Sequence, residues 1–280
     1  MPALVLEGGT FRPMFSCGVM DALIDSGVEF EYVIGVSAGI SNASSYISKQ
    51  TGRNLEIMQK YRHDKRYLGF RNIFSDKSIF GRKFIYETIP RELMPFDKET
   101  FFSSSAEFVV GVTNAHTGEM EYMNRKDPVN GHILLQATCA LPVIFPPIVY
   151  EGKQYYDGGL VDSIPAQKAI DDGNEKMLIV LTRTKDYVKT ESKAYKIAAS
   201  ILKRKYPQVA QRLLTRHTRY NKEVEFCNQL EREGRAVILR PSEEVQIESL
   251  EGDMEKIERI YKYGYDLAIE NMDRIKALFD

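Results

Sequence analysis

Cysteine is scarce in this sequence, and its spacing matches no redox or metal-binding pattern. The three cysteines, Cys17, Cys139 and Cys227, are separated by 122 and 88 residues. An odd count without a C-x-x-C pair argues against a disulfide framework and favours a reduced, cytoplasmic environment. No cluster of histidine, cysteine and aspartate has the spacing of metal ligands, so we expect neither a metal nor a cofactor.

Long apolar runs are missing as well. No stretch approaches the roughly 18 consecutive apolar residues that would indicate a membrane span. The N-terminal sequence MPALVLEGG lacks the basic region and the long apolar core of a signal peptide. We therefore expect a cytoplasmic protein that meets a membrane, if at all, as a peripheral protein from the aqueous side.

Net charge is close to zero, because 38 basic and 39 acidic side chains leave a balance of −1. Without an overall positive field we expect no nucleic-acid partner. Hydrophobic residues make up 43% and charged residues 28% of the chain, which excludes collagen-like, disordered and coiled-coil proteins. A chain of 280 residues buries about 75% of its unfolded surface and needs no disulfides to fold.

Two strand–helix units open the chain. Residues 3–6 form a short, wholly apolar run, which is typical of a strand buried on both faces. After a glycine pair, Phe15, Val19 and Leu23 recur at helical spacing. A second strand is predicted over 32–34 and a second helix over 40–49. Consecutive units of this kind predict a parallel sheet with right-handed crossovers.

The rest of the chain continues the α/β pattern. Hairpins are predicted around the Thr117-Gly118 and Glu151-Gly152 turns, and further strands over 177–181 and 236–239. Helices are predicted over 191–233 and 253–279, whereas 51–105 is polar and irregular with helical fragments. We therefore predict an α/β protein with a core over 1–182 and a helical C-terminal extension over 183–280. The extension should pack on the core within one structural domain.

A G-x-S-x-G pattern lies between the second strand and the second helix, as Gly35-Val36-Ser37-Ala38-Gly39. A serine on a sharp strand-to-helix turn exposes its hydroxyl, and flanking glycines let the backbone turn that tightly. The helix N-terminus behind it supplies free amides and a positive dipole end. The alternative is an ordinary turn with a serine cap, but the strand–turn–helix context favours a nucleophile.

A glycine pair, Gly8 and Gly9, follows the first strand and opens the first helix, where backbone N–H groups are available to an anion. A dinucleotide site needs G-x-G-x-x-G, and Thr10 and Pro13 replace two of those glycines, which disfavours nucleotide binding. The other use is an oxyanion hole formed by the amides of Gly8, Gly9 and Thr10. Arg12 would hold this loop or anchor a charged headgroup; alternatively it is a surface charge at the helix start.

The triplet Asp157-Gly158-Gly159 follows the second hairpin and, taken alone, is typical of a turn. A nucleophilic serine needs a base, however, and no histidine follows a late strand as the α/β-hydrolase order requires. Asp157 is therefore the candidate base. The four histidines are His63 in a charged run, His116 at a hairpin tip, His132 before a helix and His217 in a basic helical stretch.

Together these three blocks resemble the patatin-like phospholipase family over about residues 3 to 182. The similarity lies in the glycine loop with its following arginine, the G-x-S-x-G elbow and the Asp-Gly-Gly motif, in that order along the chain. The segments 137–147 before the aspartate and 161–165 after it are also similar to the family. Thr10 and Pro13 depart from the family's loop, which is usually richer in glycine.

This resemblance implies a three-layer α/β/α sandwich with a central, mainly parallel sheet. It also implies a Ser–Asp dyad in which Ser37 attacks an ester carbonyl and Asp157 takes the proton of the serine. The expected activity is hydrolysis of lipid or other carboxylic esters through an acyl-enzyme. Two alternatives stay open from the sequence: an acyltransferase on the same dyad, and a lipid- or nucleotide-binding module without turnover.

One segment of the C-terminal part is strongly basic. Residues 183–222 carry 12 basic and 2 acidic side chains, and 223–258 carry 11 acidic and 4 basic ones. In the basic segment, Ile197, Ile201 and Leu202 form an apolar stripe beside several lysines. Such a helix is suited to peripheral contact with an anionic membrane. The alternative is a helix packed on the domain, with its charges solvated or paired with the acidic stretch.

Overall fold

The structure, a computed structural model, describes residues 1–124 and 131–280. Within these ranges the chain forms an eight-stranded mixed sheet in the order β5-β6-β3-β2-β1-β7-β8, with β4 paired to β3. The pairs β3–β2, β2–β1, β1–β7 and β7–β8 are parallel, and the pairs of β3 with β4 and β6 and of β5 with β6 are antiparallel. The strands are β1 Ala3–Leu6, β2 Tyr32–Val36, β3 Glu107–Asn114, β4 Met120–Asn124, β5 Ile148–Tyr150, β6 Lys153–Asp157, β7 Met177–Val180 and β8 Ala236–Leu239.

Helices cover both faces of this sheet. Besides the α-helices there is a π-helical segment, Phe84–Leu93, and single 3₁₀ turns at Gly158–Leu160 and Ala277–Phe279. The α-helices are α1 Met14–Asp25, α2 Ser37–Ile47, α3 Arg53–Tyr61, α4 Asn72–Asp76, α5 Lys98–Ser103, α6 Gly131–Thr138, α7 Ala166–Asp171, α8 Lys193–Leu202, α9 Pro207–Leu214, α10 Arg216–Arg232, α11 Met254–Glu270 and α12 Met272–Lys276.

Strands β1, β2, β7 and β8 are buried on both faces because alternate side chains enter two separate hydrophobic cores. Leu4 and Leu6 of β1 join the core that contains α1, α2 and α11, whereas Ala3 and Val5 join the core that contains α7 and α10. This period of two along a strand explains why the strand sequences read as continuous apolar runs. The α/β/α layering and the mainly parallel sheet expected from the sequence are thereby confirmed.

The C-terminal part contributes both a strand and helices to this architecture. β8 pairs in parallel with β7, and α11 packs directly on α1. Glycines make that crossing close: a Cβ on Gly18 would lie 1.9 Å from the carbonyl oxygen of Tyr261, and one on Gly264 would lie 2.2 Å from that of Phe15. The two helix backbones are therefore in near contact.

The helix boundaries differ from the sequence expectation in three places. The second helix begins at Ser37 rather than at residue 40, because the serine is itself the first helical residue after β2. The helices expected over 191–233 are three in number, and Pro207 begins the second of them at a position where no N–H is needed. The region 51–105 is mostly helical, and its π-helical segment contains Pro90. No helix in the described ranges is both long and apolar enough to cross a membrane.

Candidate active site

Strand β3 brings together the end of β2, which precedes Ser37, and the end of β6, which carries Asp157. Val36, the last residue of β2, pairs with Gly111, and Asp157, the last residue of β6, pairs with Val112. Because Gly111 and Val112 are neighbours, the turn after β2 and the end of β6 meet at one place on the sheet. Segments separated by 120 residues of sequence are brought together in this way.

Ser37 lies on a strained turn. Its φ is +54°, in the left-handed region that a non-glycine residue rarely adopts, and its side chain is largely buried. Gly35 and Gly39 let this turn approach β1, since an added Cβ would lie 2.7 Å from the Leu6 carbonyl oxygen or 2.5 Å from that of Glu7. Backbone strain of this kind is concentrated at functional sites.

Thr138, at the end of α6, ties this turn to β3. The Ser37 backbone N–H donates to the Thr138 hydroxyl at 2.8 Å, and that hydroxyl donates to the carbonyl oxygen of Gly111 at 2.6 Å. Sequence reasoning gave Thr138 no role beyond its place in a family-like segment. A threonine in a mostly apolar helix is the sequence signal for a buried hydroxyl at Thr138. Only the fold identifies the hydrogen-bond partners of that hydroxyl.

Asp157 is almost completely buried, with 2% of its surface exposed. Its carboxylate accepts a hydrogen bond, at 2.8 Å, from the Gly159 N–H, and the Ser37 hydroxyl lies near enough to act on it as a donor. Burial raises the pKa of Asp157 from 3.8 to about 6; the nearby Ser37 hydroxyl, the charge of Arg216 and the Gly159 hydrogen bond oppose that increase. A carboxyl group of this kind is a stronger base than an ordinary aspartate, and it is ionised at neutral pH.

The two glycines of the Asp-Gly-Gly motif leave no room for a side chain. A Cβ on Gly158 would lie 2.3 Å from the Gly111 carbonyl oxygen, and one on Gly159 would lie 3.1 Å from a carboxylate oxygen of Asp157. Larger residues would therefore push the turn away from β3 and from its own carboxylate. The Asp-Gly-Gly triplet is a structural requirement of the site as well as its source of a carboxylate.

The loop of Gly8, Gly9 and Thr10 lies beside Ser37. A Cβ on Gly8 would lie 2.7 Å from the Ser37 Cβ, so only glycine allows this approach. Gly9 has φ +149° and Thr10 has φ +58°. In the described part of the chain, no protein acceptor takes a hydrogen bond from the amides of these three residues. The loop therefore offers unpaired backbone donors next to the serine, as expected for an oxyanion hole.

Arg12 fixes the far side of this loop. Its Nε donates to the Thr182 hydroxyl at 3.4 Å and its Nη1 donates to the Ser249 hydroxyl. The Thr182 hydroxyl donates in turn to the Gly8 carbonyl oxygen at 3.1 Å. Arg12 is thus a buried residue bound to the glycine loop, and the surface-charge alternative for it is wrong.

Two cavities of contrasting character meet at Ser37. One, of about 300 Å³, is lined by aromatic and aliphatic side chains, and the other, of about 380 Å³, is lined mainly by polar and cationic groups. Ser37, Thr10 and Leu141 line both of them. The apolar lining includes Phe11, Met14, Tyr67, Phe80, Ile89, Phe108, Leu134 and Phe145.

Several residues at this site were not found from the sequence. Arg216, the first residue of α10, donates from Nε to the Gly159 carbonyl oxygen at 2.5 Å. Cys139 lines the apolar cavity together with Ser37, and burial raises the pKa of its thiol to about 12. Arg216 belongs to the basic segment for which the sequence left open membrane contact or packing on the domain with solvated or paired charges. Its charge alone could not indicate that it points into this site.

The histidines occupy four separate environments. His63 and His116 are exposed, and His116 packs against Tyr206 with ring centroids 5.5 Å apart. His132 lines the apolar cavity, and His217 lies near Glu191. In the described residues, the groups that shift the pKa of Asp157 include no histidine. No group of three or more metal-ligating side chains occurs within those same ranges.

Comparisons with known proteins give distant relatives of this chain. Protein YjjU of Escherichia coli K12, which is uncharacterized, is 25% identical over 185 residues, which is 64% of this chain and 51% of YjjU. Lysophospholipase nte1 of Aspergillus terreus is 26% identical over 172 residues, which is 58% of this chain and 10% of that protein. The crystal structure of VipD from Legionella pneumophila superposes with a TM-score of 0.49 and 15% identity, over 97% of this chain and 66% of VipD.

Two family models match the chain. A domain of unknown function, DUF6363, matches residues 206–280. The patatin-like phospholipase model matches residues 4–170, from β1 into α7, and includes both Ser37 and Asp157. The chain spans about half the length of YjjU and about a tenth of nte1. Because more than half of the sequence matches that model, the chain belongs to the patatin-like phospholipase family.

Proposed function

We propose that this protein is a lipid acyl hydrolase, of phospholipase A or carboxylesterase type, that works through an acyl-enzyme on Ser37 with Asp157 as the general base. One observation carries the proposal: the register of β3 places Ser37 beside the buried carboxylate of Asp157, at the junction of an apolar and a polar cavity. Membership of the family and similarity to a lysophospholipase are consistent with it.

The chemistry proceeds in two steps. In acylation, Asp157 takes the proton of Ser37 while Oγ attacks the ester carbonyl, and the negative oxygen of the tetrahedral intermediate is stabilised by the loop amides of Gly8, Gly9 and Thr10. The protonated Asp157 then gives its proton to the departing alcohol. In deacylation, Asp157 takes a proton from the water that attacks the acyl-Ser37 carbonyl. As the bond between Oγ and the acyl carbon breaks, the protonated Asp157 returns that proton to Oγ, and the carboxylic acid leaves.

The cavities divide the substrate between them. An acyl chain fits the apolar cavity, whose lining is rich in phenylalanine and aliphatic residues, and the alcohol part fits the polar one. The carbonyl carbon would then lie at Ser37, where the two cavities meet. An ester with a medium or long acyl chain should therefore be a better substrate than an acetate ester.

Peripheral contact with an anionic membrane belongs to the same proposal. On α8, Ile197 and Ile201 are 63% and 60% exposed and lie beside lysines, which supports contact through the basic segment 183–222; Leu202 is buried and takes no part. A second apolar tip lies at α4, where Phe70 is 83% and Phe74 is 92% exposed. Exposed aromatic side chains next to basic residues are typical of surfaces that enter the lipid interface.

The proposal is tested by reaction with a fluorophosphonate probe followed by peptide mapping. We expect the label on Ser37, and no label on Ser37→Ala. Ser41→Ala is the matched control, because Ser41 lies one turn away on the same helix and lines the same apolar cavity. A folded wild-type protein that takes no label on Ser37 would exclude an activated serine and favour a binding module without turnover.

Acyl transfer is separated from hydrolysis by the fate of the acyl group. With one ester substrate and glycerol as added acceptor, a hydrolase releases free acid at a rate that the acceptor changes little. A transferase instead forms the new ester at the expense of the acid. Product analysis by chromatography distinguishes the two outcomes.

A further inference from the structure

The polar cavity beside Ser37 contains more positive than negative charge. Two carboxylates, Glu7 and Asp157, line it, whereas four cationic side chains do so. A third carboxylate, Glu191, also lines the cavity but pairs with Lys196. When all four cations are protonated, two positive charges are therefore left without compensation. The four cations, referred to below as the cation cluster, are Arg12, Arg183, Lys189 and Arg216.

The two arginines nearest the reacting groups are held in place by neutral acceptors. Arg12 uses Nε and Nη1 for the hydroxyls of Thr182 and Ser249, and Arg216 uses the same two groups for the Gly159 carbonyl oxygen and the Tyr195 hydroxyl. The Nη2 group of each arginine has no acceptor among the described residues. Both guanidinium groups are thus oriented in advance, each with its Nη2 group left for a ligand.

The other two cations rest on aromatic rings instead of carboxylates. The Arg183 guanidinium lies 4.4 Å from the Tyr187 ring centroid, and the Lys189 ammonium lies 4.3 Å from that of Tyr220. In residues 1–124 and 131–280, no member of the cation cluster forms an ion pair with a carboxylate. Such unpaired, partly buried cations are costly unless an anion joins them.

Mutual repulsion within the cluster supports this reasoning. Burial, the charges of Arg216 and, less strongly, of Arg12 and Arg183 lower the pKa of Lys189 to about 7, against the opposing effect of Glu7. Burial and the charges of Arg183 and Arg216 also lower the pKa of Arg12, again opposed by Glu7. A bound dianion would relieve that repulsion and raise the pKa of Lys189.

Resting on the proposed function, we propose that the cation cluster binds a phosphate group, so that the preferred substrates are acyl esters whose alcohol part carries a phosphate monoester. Phosphate matches the geometry of arginine donors, and a monoester at neutral pH carries the two negative charges that the cavity lacks. Arg183, Lys189 and Arg216 all come from the chain after β7. The C-terminal part therefore builds the headgroup subsite.

Direct binding is measured with Ser37→Ala, which cannot turn over an ester if the proposed function holds. Isothermal titration calorimetry compares glycerol 3-phosphate, inorganic phosphate and glycerol. We expect both phosphates to bind and glycerol not to bind. Adding Lys189→Gln should raise the Kd of glycerol 3-phosphate about tenfold, the effect of one charge-assisted hydrogen bond, and Lys189→Arg should restore most of the affinity.

The matched control is Lys185→Gln, a change of the same kind at an exposed lysine of the same segment that does not line the cavity. Glycerol 3-phosphate affinity should be unchanged in it. Arg183→Gln gives a second test should Lys189→Gln fold poorly. If glycerol 3-phosphate binds more tightly than inorganic phosphate, the ligand is a headgroup; the reverse order assigns a free phosphate ion to the site.

Turnover measurements test whether the enzyme prefers esters whose alcohol part carries a phosphate. The wild-type kcat/KM should be at least tenfold higher for 1-octanoylglycerol 3-phosphate than for 1-octanoylglycerol, and Lys189→Gln should reduce that ratio about tenfold. Equal kcat/KM for the two esters, together with no phosphate binding by Ser37→Ala, would overturn the inference while leaving the hydrolase intact. Phosphate binding in a protein that hydrolyses neither ester would support the subsite and refute the proposed function.

Discussion

Replacing Asp157 by asparagine should make the protein more stable and much less active at the same pH. Asparagine retains an acceptor for the Gly159 N–H and has about the same size, but it cannot take a proton from Ser37. Loss of a general base typically costs on the order of 10²–10⁴ in rate. We therefore expect the turnover of an octanoyl ester to fall by that factor in Asp157→Asn.

The stability change follows from the raised pKa of Asp157. The difference between 3.8 and about 6, at about 1.4 kcal/mol per pH unit, is about 3 kcal/mol. Because the folded protein binds this proton more tightly than the unfolded chain, its stabilising contribution is complete below about pH 4 and is lost as the pH rises through about 6. Asparagine carries no such dependence. Asp157→Asn should therefore be more stable than the wild type by up to about 3 kcal/mol above pH 6, and should gain nothing near pH 4.

The assay combines urea unfolding at pH 4.5 and 7.5 with a pH profile of kcat/KM. For the wild type, kcat/KM should rise through about pH 6 and then level, since the base acts as a carboxylate. Alanine variants of the histidines serve as controls. An Asp157→Asn protein that keeps turnover within tenfold of the wild type would refute the reasoning. So would a stably folded His132→Ala or His217→Ala that loses activity as completely as Asp157→Asn.

Three further predictions concern packing, strain and membrane contact. Gly18→Ala should destabilise the protein by about 1–3 kcal/mol in urea unfolding. Its Cβ would lie 1.9 Å from the Tyr261 carbonyl oxygen and would force α1 and α11 apart. An unchanged unfolding midpoint would contradict the close crossing of these helices. Ser37→Gly should abolish turnover but raise the thermal midpoint, because it relieves about 1 kcal/mol of backbone strain at φ +54°. A lower midpoint would mean that the turn is unstrained. Neutralising the three cations of 203–205 should weaken flotation with anionic vesicles at low salt. It should have little effect near 1 M salt, where the screening length is about 3 Å. If the neutralised variant and the wild type bind vesicles equally at low salt, this segment is structural.

The fold was accessible from the sequence because several of its parallel strands are short and fully apolar. The runs at 3–6, 177–180 and 236–239 predicted buried parallel strands, and all three lie in the sheet. Pairing order was not accessible, because hydrophobic runs of this kind fit any interior position. The strand register, in which Val36 and Asp157 pair with neighbouring residues of β3, is therefore known only from the structure.

The site was predictable where a residue type is required by backbone geometry. Ser37 and the glycines around it belong to turns that only small residues allow, and the expected residues of all three motifs lie together. Arg183, Lys189 and Arg216 could not be identified in the same way. A basic side chain within a basic segment gives no sign of which face it occupies. The long-range packing of α10 and of the segment between β7 and α8 decides that these charges line a cavity.

The central claim is that Ser37 carries the acyl group during turnover. Rapid-quench reaction of the wild type with p-nitrophenyl octanoate, followed by peptide mass spectrometry, tests it most directly. The account predicts a burst of nitrophenol of about one equivalent per protein when deacylation is slower than acylation, and an octanoyl group on the peptide that contains Ser37. Turnover of the ester with Ser37 unmodified at every quench time, and undiminished in Ser37→Ala, would contradict it.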